Sequence, residues 1–230
     1  MIKLLAGIVL IVSMATAPVS AAPVYETDPA HFTLEFENDA VKIIRADWGP
    51  KEAFAGTLEL GDLAVVRLAP ANFRVTLPDG KKVDRASNLG AALYAPATKI
   101  GVENLQDHRV VSVLVELKGK VGGSMTSSLR IDPLISDPGH HRLVLENDKV
   151  RIIRAVFGPG EAAPGFFDAV GAVIVSLTPR YFEITGADGK KAYSRSDFGT
   201  ATWSPAGRIL LKNLSDMNAE FIVIEPKPSM

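Results

Sequence analysis

The sequence predicts an all-β protein built from two tandem copies of one unit. The stretch from Asp28 to Lys118 recurs from Asp137 to Lys227 without a gap. The offset is about 109 residues and about two residues in five are identical, well above chance for unrelated segments. Short apolar stretches rich in Val, Ile and Phe alternate with turn residues, and no stretch sustains a long helical period. An Asp-Gly pair, Asp79-Gly80 and again Asp188-Gly189, stands between two such stretches in each copy. Glycine there can take the positive φ of a tight hairpin turn.

The chain opens as an export signal. Lys3 supplies the positive start, Leu4 to Val12 the apolar run, and Ala15 onward the small residues before a cut expected after Ala21. The apolar run is too short to span a bilayer, which takes roughly 20 residues. A periplasmic or secreted location follows, with no membrane span in the mature chain.

In the first repeat the expected strands run from Phe32 to Glu37, Val41 to Asp47, Leu63 to Leu68, Phe73 to Leu77, Ala91 to Tyr94, Ile100 to Asn104 and Val110 to Leu117. Glu37-Asn38-Asp39 separates the first two, as a turn in which Asn or Asp tolerates the left-handed conformation. The second repeat mirrors these, most clearly at Val150 to Val156, Ala172 to Leu177, Tyr181 to Thr185 and Phe221 to Glu225. Between the repeats, Gly119 to Ser136 has the Gly, Ser and Thr content of a connector. Its apolar residues Leu129, Ile131, Leu134 and Ile135 suggest a short crossing strand. The organisation read from this is a leader at 1–21, a first barrel at 22–118, a linker at 119–136 and a second barrel at 137–230.

With no cysteine, the exported chain has no disulfides and its stability must come from burial. Removing Lys3 with the leader takes the 25 basic residues to 24 against 26 acidic ones, a net charge near −2. No basic run suggests nucleic acid or a membrane surface as partner. There is no Gly-x-Ser-x-Gly elbow and no phosphate-cradling loop.

The order of these elements resembles the cupin family, specifically a two-domain cupin or bicupin. The resemblance rests on the shared opening His-x-x-x-x-x-Glu-Asn-Asp-x-Val-(Lys/Arg)-Ile-Ile-Arg, on Gly158-Pro159-Gly160-Glu161, and on two late segments. These are Leu93 to Thr98 followed by Asn104, and Thr202 to Gly207 followed by Asn213. It implies a double-stranded β-helix of the jelly-roll type in each half, an all-β pair of tandem barrels. Metal-binding members use a His-x-His pair and a later His. Alignment puts the pair at Thr57 and Glu59, or Phe166 and Asp168, and the later position at Ile100 and Ile209. None of these is a histidine, so the resemblance implies degenerate sites with no metal and no cofactor.

The four histidines are read structurally. His31 and His140 sit at equivalent points after Asp-Pro-x, where they pack or hydrogen-bond at the start of each barrel. His140 and His141 are neighbours that a strand would point to opposite faces, against joint coordination. His108 falls in a solvated turn.

The candidate ligand-binding residues are Glu59 and Asp168, a carboxylate at one position of both repeats, and Lys99 and Arg208, a cation before the late Ile. Tyr94 and Trp203 are the paired aromatics of the late segments. A carboxylate in a barrel mouth binds an amine or serves as a general base when its surroundings tune its pKa. The expected role is an exported, metal-free bicupin that binds a small molecule or acts as a scaffold, with a homo-oligomer as a further possibility. The alternative is a cupin-type enzyme that uses these carboxylates.

Overall fold

The computed structural model describes residues 22–119 and 130–228; the leader and Leu129 of the connector lie outside the described residues. The first half comprises α1 (Val24–Thr27), β1 (Phe32–Glu37), β2 (Val41–Trp48), β3 (Leu58–Leu60), β4 (Leu63–Arg67), β5 (Ala71–Thr76), β6 (Lys82–Ser87), β7 (Ala92–Ala95), β8 (Thr98–Asn104) and β9 (Val110–Leu117). The second half repeats it as α2 (Pro133–Ser136), β10 (His141–Glu146), β11 (Val150–Phe157), β12 (Phe167–Ala169), β13 (Ala172–Ser176), β14 (Arg180–Gly186), β15 (Lys191–Ser196), β16 (Ala201–Ser204), β17 (Gly207–Asn213) and β18 (Ala219–Pro226). Each half folds into two antiparallel sheets. Their orders are β1-β2-β9-β4-β7 and β3-β8-β5-β6, then β10-β11-β18-β13-β16 and β12-β17-β14-β15.

Two strands per half escape the sequence pattern. β3 and β12 are three residues long, too short to show alternation. β6 and β15 are almost wholly solvated and carry Lys, Asp, Arg and Ser where a half-buried strand would carry apolar residues. The connector also departs from expectation, because Leu134 and Ile135 lie in α2 rather than in a strand. Asp132 caps that helix by accepting from the Leu134 N–H at 3.0 Å, and Pro133 takes the first helical position, where its missing N–H costs nothing.

The hairpin glycines behave as their sequence suggests, with φ of 81° at Gly80 and 77° at Gly189. The Glu-Asn-Asp turns work differently. Asn38 Oδ1 accepts the N–H groups of Ala40 and Val41 at 2.8 and 2.9 Å, and Asn147 does the same for Lys149 and Val150. These asparagines hold the turn by side-chain hydrogen bonds, with no positive φ.

Alternation along the five-stranded sheets creates three cores. On β2, Ile44 and Ala46 face the interior of their own barrel while Val41 and Ile43 face the other barrel. The outer faces of the two five-stranded sheets meet there. Val41, Ile43, Ala64, Val66, Val113 and Val115 pack against Val150, Ile152, Val173, Val175, Ile222 and Ile224. These strands are buried on both faces at most positions, as at the consecutive Ile43-Ile44 and Ile152-Ile153. A reciprocal close approach seals the seam: Gly199, at φ 78°, lies against Leu68 and Arg45, and Gly90, at φ 73°, against Leu177 and Arg154.

Candidate functional site

The two barrels share a backbone but differ in what fills them. The first is packed with Phe32, Trp48, Phe54, Leu58, Leu60, Leu63, Phe73 and Leu93. At the matching positions of the second stand His141, Phe157, Ala163, Phe167, Ala169, Ala172, Phe182 and Thr202. Six of these are smaller or more polar than their counterparts. The lost volume leaves a cavity of about 200 Å³ in the second barrel. Its walls are mainly apolar, with Ile153, Ile174, Ile184, Ile209, Leu211 and Val223, and its polar groups come from His141, Arg180, Ser194, Thr202, Ser204 and Glu225. Thr202, opposite Ile174 on the neighbouring strand, is exposed, as is Pro205, so the cavity opens beside β16.

Arg180 is the unusual member of this lining. It begins β14 at the position where the first barrel has Ala71. Its Nε donates to Ser176 Oγ at 2.8 Å, and its guanidinium lies over the rings of Phe221 and Phe182, with centroids at 5.3 and 5.9 Å. It forms no ion pair among the described residues, and burial alone pushes its pKa down to about 10, which leaves it a cation at neutral pH. Contact with the ring faces offsets part of that burial. Glu225, by contrast, is spoken for: Arg151 Nε donates to its carboxylate at 2.5 Å, and Arg130 stands 3.6 Å away.

At the start of each barrel a histidine links three segments. His31 Nδ1 is 2.6 Å from Asp28 and its Nε2 is 3.1 Å from Glu52, with the ring stacked on Trp48 at 4.3 Å. His140 repeats this with Asp137 at 2.6 Å, Glu161 at 3.3 Å and Phe157 at 4.2 Å. Burial lowers the His31 pKa, but hydrogen bonds and the charges of Asp28 and Glu52 outweigh it, for a net rise above 6.5. His141, although adjacent to His140, reaches the same Asp137 carboxylate at 3.2 Å. The chain is still entering the strand at His140, so strict alternation does not separate the two rings. Burial drives the His141 pKa below 6.5, against the pull of Asp137. His108 is exposed, with Nε2 at 2.9 Å from the Pro70 carbonyl.

The residues singled out by position in the repeats pair with one another. Glu59 sits opposite Lys99 in the β3–β8 register, and Asp168 sits opposite Arg208 in the β12–β17 register. Lys99 Nζ is 2.9 Å from Glu59, in the open. Arg208 grips Asp168 with two bonds, at 2.7 and 2.9 Å, and the Ile131 N–H adds a third at 2.9 Å. Arg208 and the Ile131 N–H hold the Asp168 pKa down at about 2. Phe167, Ala169 and Ile209 line the cavity, so Asp168 and Arg208, one residue out of step, face the other way. Tyr94 donates to Asp62 at 2.6 Å and packs at the seam between the barrels. Trp203 is the one of the six that lines the cavity. Arg180 and His141 carry the clearest polar chemistry there. The signal for Arg180 was a difference between the repeats, Ala71 against Arg180, rather than an agreement.

No protein-family model matches the sequence, and no curated protein does. Solved structures do match. AerE from Microcystis aeruginosa superposes with a TM-score of 0.57 at 11% identity, over 85% of this chain and 97% of that one. Oxalate decarboxylase from Bacillus subtilis gives 0.57 at 8% identity, over 82% of this chain and 68% of that one. The fold is that of a bicupin. A cupin 2 conserved barrel domain protein from Leptotrichia buccalis also matches, with a TM-score of 0.51 and 14% identity over 85% of this chain.

A bicupin fold raises the question of a metal in each barrel, and the side chains present do not suit one. The inward residues of β3 and β12 are Leu58, Leu60, Phe167 and Ala169, and Ile100 and Ile209, at the late ligand position, pair with Leu58 and Phe167. None offers a donor atom. Among the described residues no group of three or more His, Asp or Glu side chains comes together to hold an ion.

Proposed function

We propose that this protein is an exported small-molecule-binding bicupin in which the second barrel holds the ligand and the first is a filled scaffold. One observation carries the reading: a cavity opens in the second barrel where Ala169, Ala172 and Thr202 replace Leu60, Leu63 and Leu93. Cavities of this kind, largely apolar with a few convergent polar groups, are the usual form of ligand sites. The volume of about 200 Å³ sets the ligand size. A dry cavity of about 150 Å³ accepts benzene, so the space suits a molecule of about six to ten heavy atoms. Export is read from the leader, and it gives the site access to extracytoplasmic solutes. The shared apolar seam fixes the second barrel to the first, whose packed interior resists collapse of the open one.

The test is ligand-observed NMR on the mature chain from Ala22, against a mixture of small aromatic and branched aliphatic compounds. The wild type should show saturation transfer to a subset. Ala172→Leu combined with Thr202→Leu, which installs the residues of the first barrel, should abolish it. Equal transfer to the filled variant, or none to the wild type, would overturn the proposal.

A further inference from the structure

We infer that the ligand of the second barrel is a small carboxylate, with its charged group on Arg180 and its apolar body against Ile153, Ile174, Ile184 and Val223. This rests on the cavity reading above and adds the chemical class. The cavity contains one cation without a counter-ion among the described residues, and only one of its five N–H donors is committed within the protein, to Ser176. A guanidinium presents paired donors that match the two oxygens of a carboxylate, in an environment where competing water is scarce. Thr202 and Ser194 add hydroxyl donors on the same lining. Two other ionisable groups line the cavity: His141 reaches the Asp137 carboxylate, and Glu225 is neutralised by Arg151, so it does not repel an incoming anion as a free carboxylate would. The apolar walls favour a monoanion with a hydrocarbon body over a phosphate, whose second charge and third oxygen would find no further cation there.

Arg67 of the first barrel provides an internal control. Its Nη1 donates to Ser112 Oγ at 2.9 Å and its guanidinium lies 4.8 Å from the centroid of Phe73, the counterpart of Phe182. Its Nε, however, is buried without a partner, closed in by the filled barrel. An arginine on the aromatic floor is thus common to both barrels, although it comes from different strand positions. In the second, a cavity reaches it.

The experiment is an isothermal or NMR titration with benzoate and with benzamide, a neutral molecule of similar shape. The wild type should prefer benzoate by at least about tenfold, the strength of one added charge-assisted pair. Arg180→Gln should erase that preference by weakening benzoate far more than benzamide, and Arg67→Gln should leave both unchanged. If Arg180→Gln does not fold, Arg180→Lys replaces it; keeping the charge without the paired donors, it should reduce the preference severalfold. Equal affinity for the two probes in the wild type, or an undiminished preference in the position-180 variant, overturns the inference while leaving the cavity reading in place. Binding of neither probe overturns both.

Discussion

Leu63 and Ala172 occupy the same place in their two barrels, each the first residue of a central strand and each 3% exposed. That pair is one of several at which a filled core gives way to a hollow one. Leu63 packs into the core of the first barrel, whereas Ala172 lines the cavity of the second.

The stability consequences should be asymmetric. Leu63→Ala should cost about 2–5 kcal/mol, the sum of lost burial and a new void. Ala172→Leu should stay within about 1 kcal/mol of the wild type in either direction, because the volume it adds is already empty. Urea denaturation of the two variants checks this, and equal losses would show that both barrels are packed alike.

His31 and His141 should pull the pH profile of stability in opposite directions. The folded pKa of His31 lies above its ordinary 6.5, so the native state holds the proton more tightly. Its contribution is complete below 6.5 and is lost as pH rises through the folded value. The folded pKa of His141 lies below 6.5, so its contribution is complete above 6.5 and is lost as pH falls. In urea midpoints followed from pH 5 to pH 9, His31→Gln should remove the alkaline decline. His141→Phe, which copies Phe32, should flatten the acid one. The groups facing these rings are Asp28 and Glu52 for His31, and Asp137 and His140 for His141.

A buried and a half-exposed ion pair occupy matching sites, and they should respond unequally to the loss of the cation. Arg151 binds Glu225 and Asp132, both at 2.5 Å, with the Arg151 and Glu225 side chains 8% and 7% exposed. Its counterpart Lys42 binds Glu116 at 3.1 Å with 17% and 27% exposed. Arg151→Met strands a buried carboxylate and should cost about 3–5 kcal/mol. Lys42→Met leaves a carboxylate that water can reach, so its cost should be about 1 kcal/mol. Similar losses in thermal or urea melts would contradict the difference in burial.

Asp168→Asn should reveal what the cross-strand clamp contributes. Hydrogen bonds to a charged group are worth about 1.5–3 kcal/mol, and Asn keeps the shape without the charge. The Asp168 pKa, held down at about 2 from an ordinary 3.8, makes its contribution full above 3.8 and lost as pH falls toward 2. The destabilisation by Asn should therefore be present at pH 7 and shrink near pH 2. A difference independent of pH would mean that the carboxylate charge plays no part.

Much of the architecture was legible from residue identity. The repeated Asp-Gly turns marked hairpins because glycine takes their φ without strain, and the Ile-Ile-Arg-Ala runs marked strands, which the fold then buries on both sides. The solvated β6 and β15 were not legible, because a strand held by its ladder rather than by a buried face leaves no hydrophobic pattern. At the site, agreement between the repeats drew attention to Glu59, Lys99, Asp168 and Arg208, which turn out to be two cross-strand pairs. The lining that distinguishes the barrels, His141, Ala169, Ala172, Arg180 and Thr202, lies where the repeats disagree.

The sequence by itself determined the duplication, the all-β class, the turns and the absence of imidazoles from the metal positions, because each depends on residue type or on local backbone preference. Tertiary structure alone decided which barrel is hollow and which side chains enter it. A strand shows its two faces with a period of two, so a shift of one residue turns Asp168 outward and Phe167 inward. No local rule sets that register; it follows from the pairing of β12 with β17, some forty residues away along the chain, and from the apolar seam that fixes both barrels.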